Sequence, residues 1–94
     1  MPVDRGLLEQ ALNNPSGMWF DDAVALAEQL GFERVRTSGS HYIFHHPAGR
    51  SLRQEYPQPL NLQRGPNGKA KRYQVRQMIR MAQSLGLVPM DEEE

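Results

Sequence analysis

All three histidines of this 94-residue chain fall within ten positions, Thr37-Ser38-Gly39-Ser40-His41-Tyr42-Ile43-Phe44-His45-His46. Imidazole changes charge near neutral pH, which suits it to proton transfer. Gly39 lets the backbone take a conformation that other residues avoid. Ser40 adds a small hydroxyl. If the chain carries chemistry, it sits in this stretch, where any of the three imidazoles could act as general base or acid and Ser40 or a second histidine such as His45 could assist. On the residues alone, a structural histidine is the simpler reading of His41, and a surface histidine beside Pro47 is the simpler reading of His45.

A metal site is the rival use of three imidazoles, since three histidines and a water form a known zinc pattern. Strand alternation argues against it. His41, Ile43 and His45 fall on one face, and Tyr42, Phe44 and His46 on the other. Adjacent His45 and His46 therefore diverge, and no cysteine or nearby carboxylate joins them. The sequence predicts no metal and no cofactor.

The elements that must hold His41 are legible from periodicity. Residues 4–13 read as a short helix, with Leu7, Leu8, Ala11 and Leu12 at helical spacing and Asp4 as its cap. Asn13-Asn14-Pro15-Ser16-Gly17 breaks the chain. A stronger helix starts at Phe20 or Asp21 and runs to about Leu30. Its stripe is Phe20, Ala23, Val24, Ala27 and Leu30, its first turn is acidic, and Gly31 stops it. Trp19, just before it, reads as a core or edge anchor, with stacking on a nucleic-acid base as the less common use.

Residues 32–37 read as a strand with Arg34 and Arg36 alternating as its polar face. A turn at Thr37-Ser38-Gly39 makes a hairpin with residues 40–46, which Pro47 ends. Residues 47–58 form a long connection. Leu60-Asn61-Leu62-Gln63 alternates as a third strand. The glycine-rich basic loop 64–69 lacks the spacing of a phosphate-cradling P-loop. A last helix runs from Arg72 or Tyr73 to Leu85, burying Val75, Met78, Ile79, Ala82 and Leu85. Arg72, Arg76 and Arg80 stack on its exposed face. Gly86 ends it, and 88–94 reads as a frayed tail.

The predicted fold is α+β: a three-stranded antiparallel sheet backed by two helices, in the order α-β-β-β-α, with an extra short N-terminal helix. This is the order of double-stranded RNA-binding domains. The domain is expected over residues 18–88, after an N-terminal helix and linker (1–17) and before an acidic tail (89–94).

Composition narrows the partners. Hydrophobic residues make up 38% of the chain, so part of it must be loop or tail. No run approaches the roughly 18 apolar residues of a membrane span, and the N-terminus carries no apolar signal segment. Without cysteine, disulfide and thiolate chemistry are excluded and a cytoplasmic setting is expected. The net charge of zero hides a segregation. Residues 1–33 hold six carboxylates and one arginine, 34–90 hold ten Lys or Arg and one Glu, and 91–94 are all acidic. A basic half free of acids from Pro57 to Met90 points to an anionic partner, and nucleic acid is the commonest.

Four stretches stand in a telling order. They are the helix ending at Gly31-Phe32, the Ser38-Gly39-Ser40-His41 turn, the Ile43-Phe44-His45-His46-Pro47 strand end, and Lys69-Ala70-Lys71-Arg72-Tyr73-Gln74-Val75-Arg76-Gln77 leading into the last helix. Together with Leu60-Asn61-Leu62, they resemble the HicA family of type II toxin–antitoxin toxins, over roughly residues 18–87. The resemblance implies a fold similar to the double-stranded RNA-binding domain. It also implies a small ribosome-independent ribonuclease that cuts messenger RNA, and a HicB-like antitoxin that covers the active face. The family's catalytic histidine is the one after Gly-Ser, here His41. Two positions depart from many relatives: Tyr42 stands where a second histidine is common, and Arg72 where proline is.

The chemistry so implied is attack of a ribose 2′-hydroxyl on the adjacent phosphorus. It needs a base, an acid and cations. One well-placed base or acid contributes on the order of 10²–10⁴-fold. Arg34, Arg36, Lys69, Lys71, Arg72 and Arg76 are the candidates to hold the RNA backbone, by A-form shape and 2′-hydroxyls. Taken singly, each is more simply a solvated side chain. The toxin alone is expected to be monomeric. Two alternatives keep the same fold: an RNA-binding module without catalysis, and a protein-interaction domain whose basic face docks only a partner.

Overall fold

The computed structural model describes residues 3–47 and 59–89. Helix α1 spans Arg5–Asn13, and the Asp4 carboxylate caps it by accepting from the Gly6 and Leu7 amides at 2.9 and 3.2 Å. A 3-10 turn, Pro15–Gly17, leads to helix α2, Phe20–Gln29. Gly31 stops α2 at φ 95°, where the Phe32 amide reaches back to the Ala27 carbonyl. Strands β1 (Glu33–Ser38), β2 (His41–His45) and β3 (Leu60–Gln63) follow, then helix α3, Arg72–Ser84. The sheet is antiparallel in the order β1-β2-β3, so β2 is central.

One face of the sheet is apolar. Phe44, Leu60 and Leu62 are fully buried there against Phe20, Leu26, Val75 and Met78 from α2 and α3. α1 lies on the two helices rather than on the sheet, and buries Ala11 in the same core. Leu12 stays exposed. The expected α+β architecture is therefore the one observed, with α1 as the extra helix. The opposite face of the sheet carries no helix among the described residues.

Three sequence expectations change in three dimensions. The hairpin turn is not Thr37-Ser38-Gly39: Ser38 pairs with His41, so Gly39 and Ser40 alone reverse the chain, with Gly39 at φ 59°. The strand alternation of 32–37 is broken. Arg34 faces Phe44 and Arg36 faces Ile43, with Val35 between them as a bulge residue, 54% exposed. The two arginines therefore lie on opposite faces instead of sharing one. Val88, read as part of a frayed tail, is buried in the core after Gly86 turns the chain at φ 76°. Of the expected connection at 47–58, residues 48–58 lie outside the described residues, as do Met90 and the acidic residues 91–94.

Candidate active site

His41 is the first residue of the central strand and follows the Gly39-Ser40 turn. Its backbone is fixed on both sides, opposite Ser38 on β1 and Gln63 on β3. Its side chain projects to the helix-free face and is half-buried. Asn61, opposite Ile43, points to the same face, and its side-chain oxygen lies 3.3 Å from His41 Nδ1. An amide oxygen only accepts, so with that oxygen toward the ring Nδ1 carries the proton and Nε2 keeps its lone pair. A neutral imidazole in this tautomer is ready to take a proton at Nε2.

The other histidines have different roles in the fold. His45 shares His41's face, as alternation predicted, and pairs with Glu33 at the far end of the strand. His46 turns to the helix-backed side. Its Nε2 donates to the Leu30 carbonyl at 2.8 Å, and its ring stands edge-on to Phe32 at 4.9 Å between centroids. It ties the end of β2 to the end of α2. Tyr42 also faces the helices, edge-on to Phe20 at 4.9 Å.

The candidate RNA-binding cations do not form one patch. Arg36 lies on the face of His41, two residue pairs along the sheet. Arg34 is on the other face, with its guanidinium 4.7 Å from the Tyr42 ring centroid. Lys69 sits 4.9 Å over Trp19. Lys71 precedes α3, and Arg72 and Arg76 are exposed on its surface. Gln74 joins that basic helix start to the site: its buried side-chain oxygen accepts from the Gln63 amide at 2.7 Å, on the strand that carries Asn61. Ser40 is exposed, and its carbonyl accepts from the Arg64 amide at 3.4 Å.

Two residues were not placed by sequence reasoning. Asn61 was visible as the polar member of Leu60-Asn61-Leu62, but its partner depends on the β2–β3 register. Arg64 stacks over Phe20 at 4.6 Å and meets Asp21 at 3.0 Å, in a contact between segments more than forty residues apart. Of the two packing uses expected of Trp19, the structure removes the core: the ring is 53% exposed, and its backbone bridges to Lys69 beyond the edge strand. Among the described residues, no three His, Asp or Glu side chains are grouped as metal ligands, and no helix is long and apolar enough to cross a membrane.

A family model described as HicA toxin of bacterial toxin-antitoxin matches residues 20–84, from the start of α2 to the end of α3. No curated protein matches the chain, and no solved structure does.

Proposed function

The chain belongs to the HicA family of bacterial toxin–antitoxin toxins, and from that membership we propose that it is an endoribonuclease that cuts messenger RNA with His41 and is neutralised by a HicB-like antitoxin. The observation that carries the reading is the His41 imidazole itself. It is half-buried on the helix-free face, oriented through Nδ1 by Asn61, and leaves Nε2 for a substrate proton.

In the proposed reaction, Nε2 takes the proton of a ribose 2′-hydroxyl as that oxygen attacks the adjacent phosphorus. A bond forms between phosphorus and the 2′-oxygen, and the bond to the 5′-oxygen breaks. The leaving oxygen takes a proton, from the imidazolium or from water, and ends as a 5′-hydroxyl opposite a 2′,3′-cyclic phosphate. Arg36, on the same face, is a candidate to offset the charge that builds on phosphorus. Ser40 and His45 are the candidate assistants, and Lys69, Lys71, Arg72 and Arg76 the candidate contacts to the backbone, while Arg34, over Tyr42 on the opposite face, is left out of that set. An antitoxin that covers the helix-free face would exclude RNA by competition, with the basic surface serving both partners.

The test is a His41→Ala variant, assayed for growth arrest and for cleavage of purified RNA. Loss of on the order of 10²–10⁴-fold in cleavage is expected, with the fold intact by circular dichroism. Undiminished cleavage by a clean preparation of the variant would overturn the assignment. Wild-type protein that binds RNA without ever cutting it would leave a binding module instead. Protein that neither binds nor cuts RNA would leave an interaction domain.

A further inference from the structure

Trp19 is a large aromatic side chain left open in a place where packing would have been the cheaper outcome. Its ring contributes no cap to α2. Its position is set by the main chain on both sides instead. Trp19 forms a bridge with Lys69, the Phe20 amide donates to the Gly68 carbonyl at 3.0 Å, and the Ala70 amide donates to the Met18 carbonyl at 2.9 Å. Gly68, at φ 82°, passes against one edge of the indole. The Lys69 ammonium lies 4.9 Å from the ring centroid. The result is a flat apolar surface, more than half open, held rigidly with a cation against it.

This surface is continuous with the candidate active site through the backbone. Ser40 accepts from Arg64, Arg64 bridges to Ala70, and Lys69 beside it bridges to Trp19. These links run three strand spacings from β2, two of them beyond β3, which puts Trp19 about 15 Å from the turn that presents His41. An extended single strand of RNA covers that distance in a few nucleotides. The cations along the way are Lys69 and, just beyond it, Lys71; Arg64 turns to the helix-backed side, over Phe20. The carboxylate among them, Asp21, is already paired with Arg64 at 3.0 Å. A partner that brings negative charge and flat aromatic faces together is a nucleic acid strand, and only an unpaired base has a face free to stack.

We propose that Trp19 is a stacking platform for one base of single-stranded RNA, with Lys69 holding the neighbouring phosphate, a few nucleotides from the phosphate at His41. The proposal rests on the ribonuclease reading for what lies at His41, but base stacking at Trp19 can be measured without cleavage.

Trp19 is the sole tryptophan of the chain, so its fluorescence reports this place alone. The experiment titrates full-length His41→Ala protein with a ten-nucleotide single-stranded RNA of mixed sequence, and separately with the same sequence as a blunt duplex. Saturable quenching by the single strand and little by the duplex is expected. In parallel, anisotropy of end-labelled RNA should show Trp19→Ala binding about 5- to 100-fold more weakly and Trp19→Phe, which keeps a ring, losing less. Thermal unfolding confirms that each variant is folded. Lys69→Ala should reduce the salt slope of binding by about one.

RNA that binds by anisotropy without quenching Trp19 would overturn the platform and leave the ribonuclease reading standing. So would equal quenching by the duplex. Quenching by a purified antitoxin but not by RNA would assign the surface to protein contact and overturn the proposal. Quenching by single strands in a protein whose His41→Ala variant still cleaves would sustain the platform and remove His41 from the chemistry.

Discussion

The Nδ1 nitrogen of His41 lies 3.3 Å from the side-chain oxygen of Asn61, which stands on the neighbouring strand and the same face of the sheet. With the amide oxygen toward the ring, the proton sits on Nδ1 and Nε2 keeps its lone pair, which would make Asn61 a positioning residue for the proposed base. Asn61→Ala should therefore lower the cleavage rate roughly 10- to 100-fold, part of the 10²–10⁴-fold that such a base supplies, with little change in RNA affinity. Nitrogen-15 chemical shifts of the His41 ring should show the Nδ1–H form in the wild type and a tautomer mixture in Asn61→Ala. A wild-type ring protonated on Nε2 in the neutral state would contradict the assignment.

The bulge at Val35 separates Arg34 from Arg36, and the two should behave differently. Arg36, on the face of His41, is expected to touch the RNA backbone. Arg36→Ala should weaken RNA binding across sequences and lower the salt slope by about one. Arg34 lies over Tyr42 on the opposite face. Arg34→Ala should instead cost about 0.5–1 kcal/mol of stability, the worth of an exposed cation–π contact. Filter binding over a salt series, beside urea denaturation, separates the two outcomes.

Gly39 stands at φ 59°, with nothing within 4 Å of where a Cβ would lie. The cost of any side chain there is therefore backbone strain rather than collision. Gly39→Ala should destabilise the protein by about 1–2 kcal/mol, and Gly39→Asn by less, because Asn visits this region more readily. Denaturant midpoints measure both. The cleavage rate of the folded fraction tests whether the turn also aims His41.

His46 should prove structural. His46→Ala leaves the Leu30 carbonyl without its 2.8 Å donor, in a part-buried setting, and should cost about 1–3 kcal/mol. Cleavage per folded molecule should stay at the wild-type value, in contrast to His41→Ala. Gly31→Ala should act on the same contact. Its Cβ would fall 2.8 Å from His46 Nε2, and the position is at φ 95°, so its thermal midpoint should drop further than that of His46→Ala.

Local rules made much of this protein readable. Asp4 as a cap, Gly31 and Gly86 as stops, and the stripes of α2 and α3 mark where helices begin, end and bury themselves. Each of these depends only on residues within a few positions of one another. Leu60-Asn61-Leu62-Gln63 alternates strictly, so it could be read as a strand and its polar members assigned to one face. The same alternation placed His41 and His45 together and turned His46 away. The order of elements then implied the α+β arrangement.

What the tertiary structure decided is what depends on register and on contacts between distant segments. A single inserted residue, Val35, reversed the face of everything before it on β1 and moved Arg34 away from His41. The pairing of β2 with β3 brought Asn61 to His41 across twenty residues, and no spacing within either strand encodes that alignment. His46 was fixed by the end of a helix sixteen residues earlier. Trp19 was placed by a backbone bridge to Lys69, fifty residues on. Val88 joined the core because Gly86 turned it back. The sequence alone determined which segments are helix, strand and turn, since propensity and periodicity are local. Which side chains meet was settled only when the strands aligned, because one residue of register exchanges the two faces of a sheet.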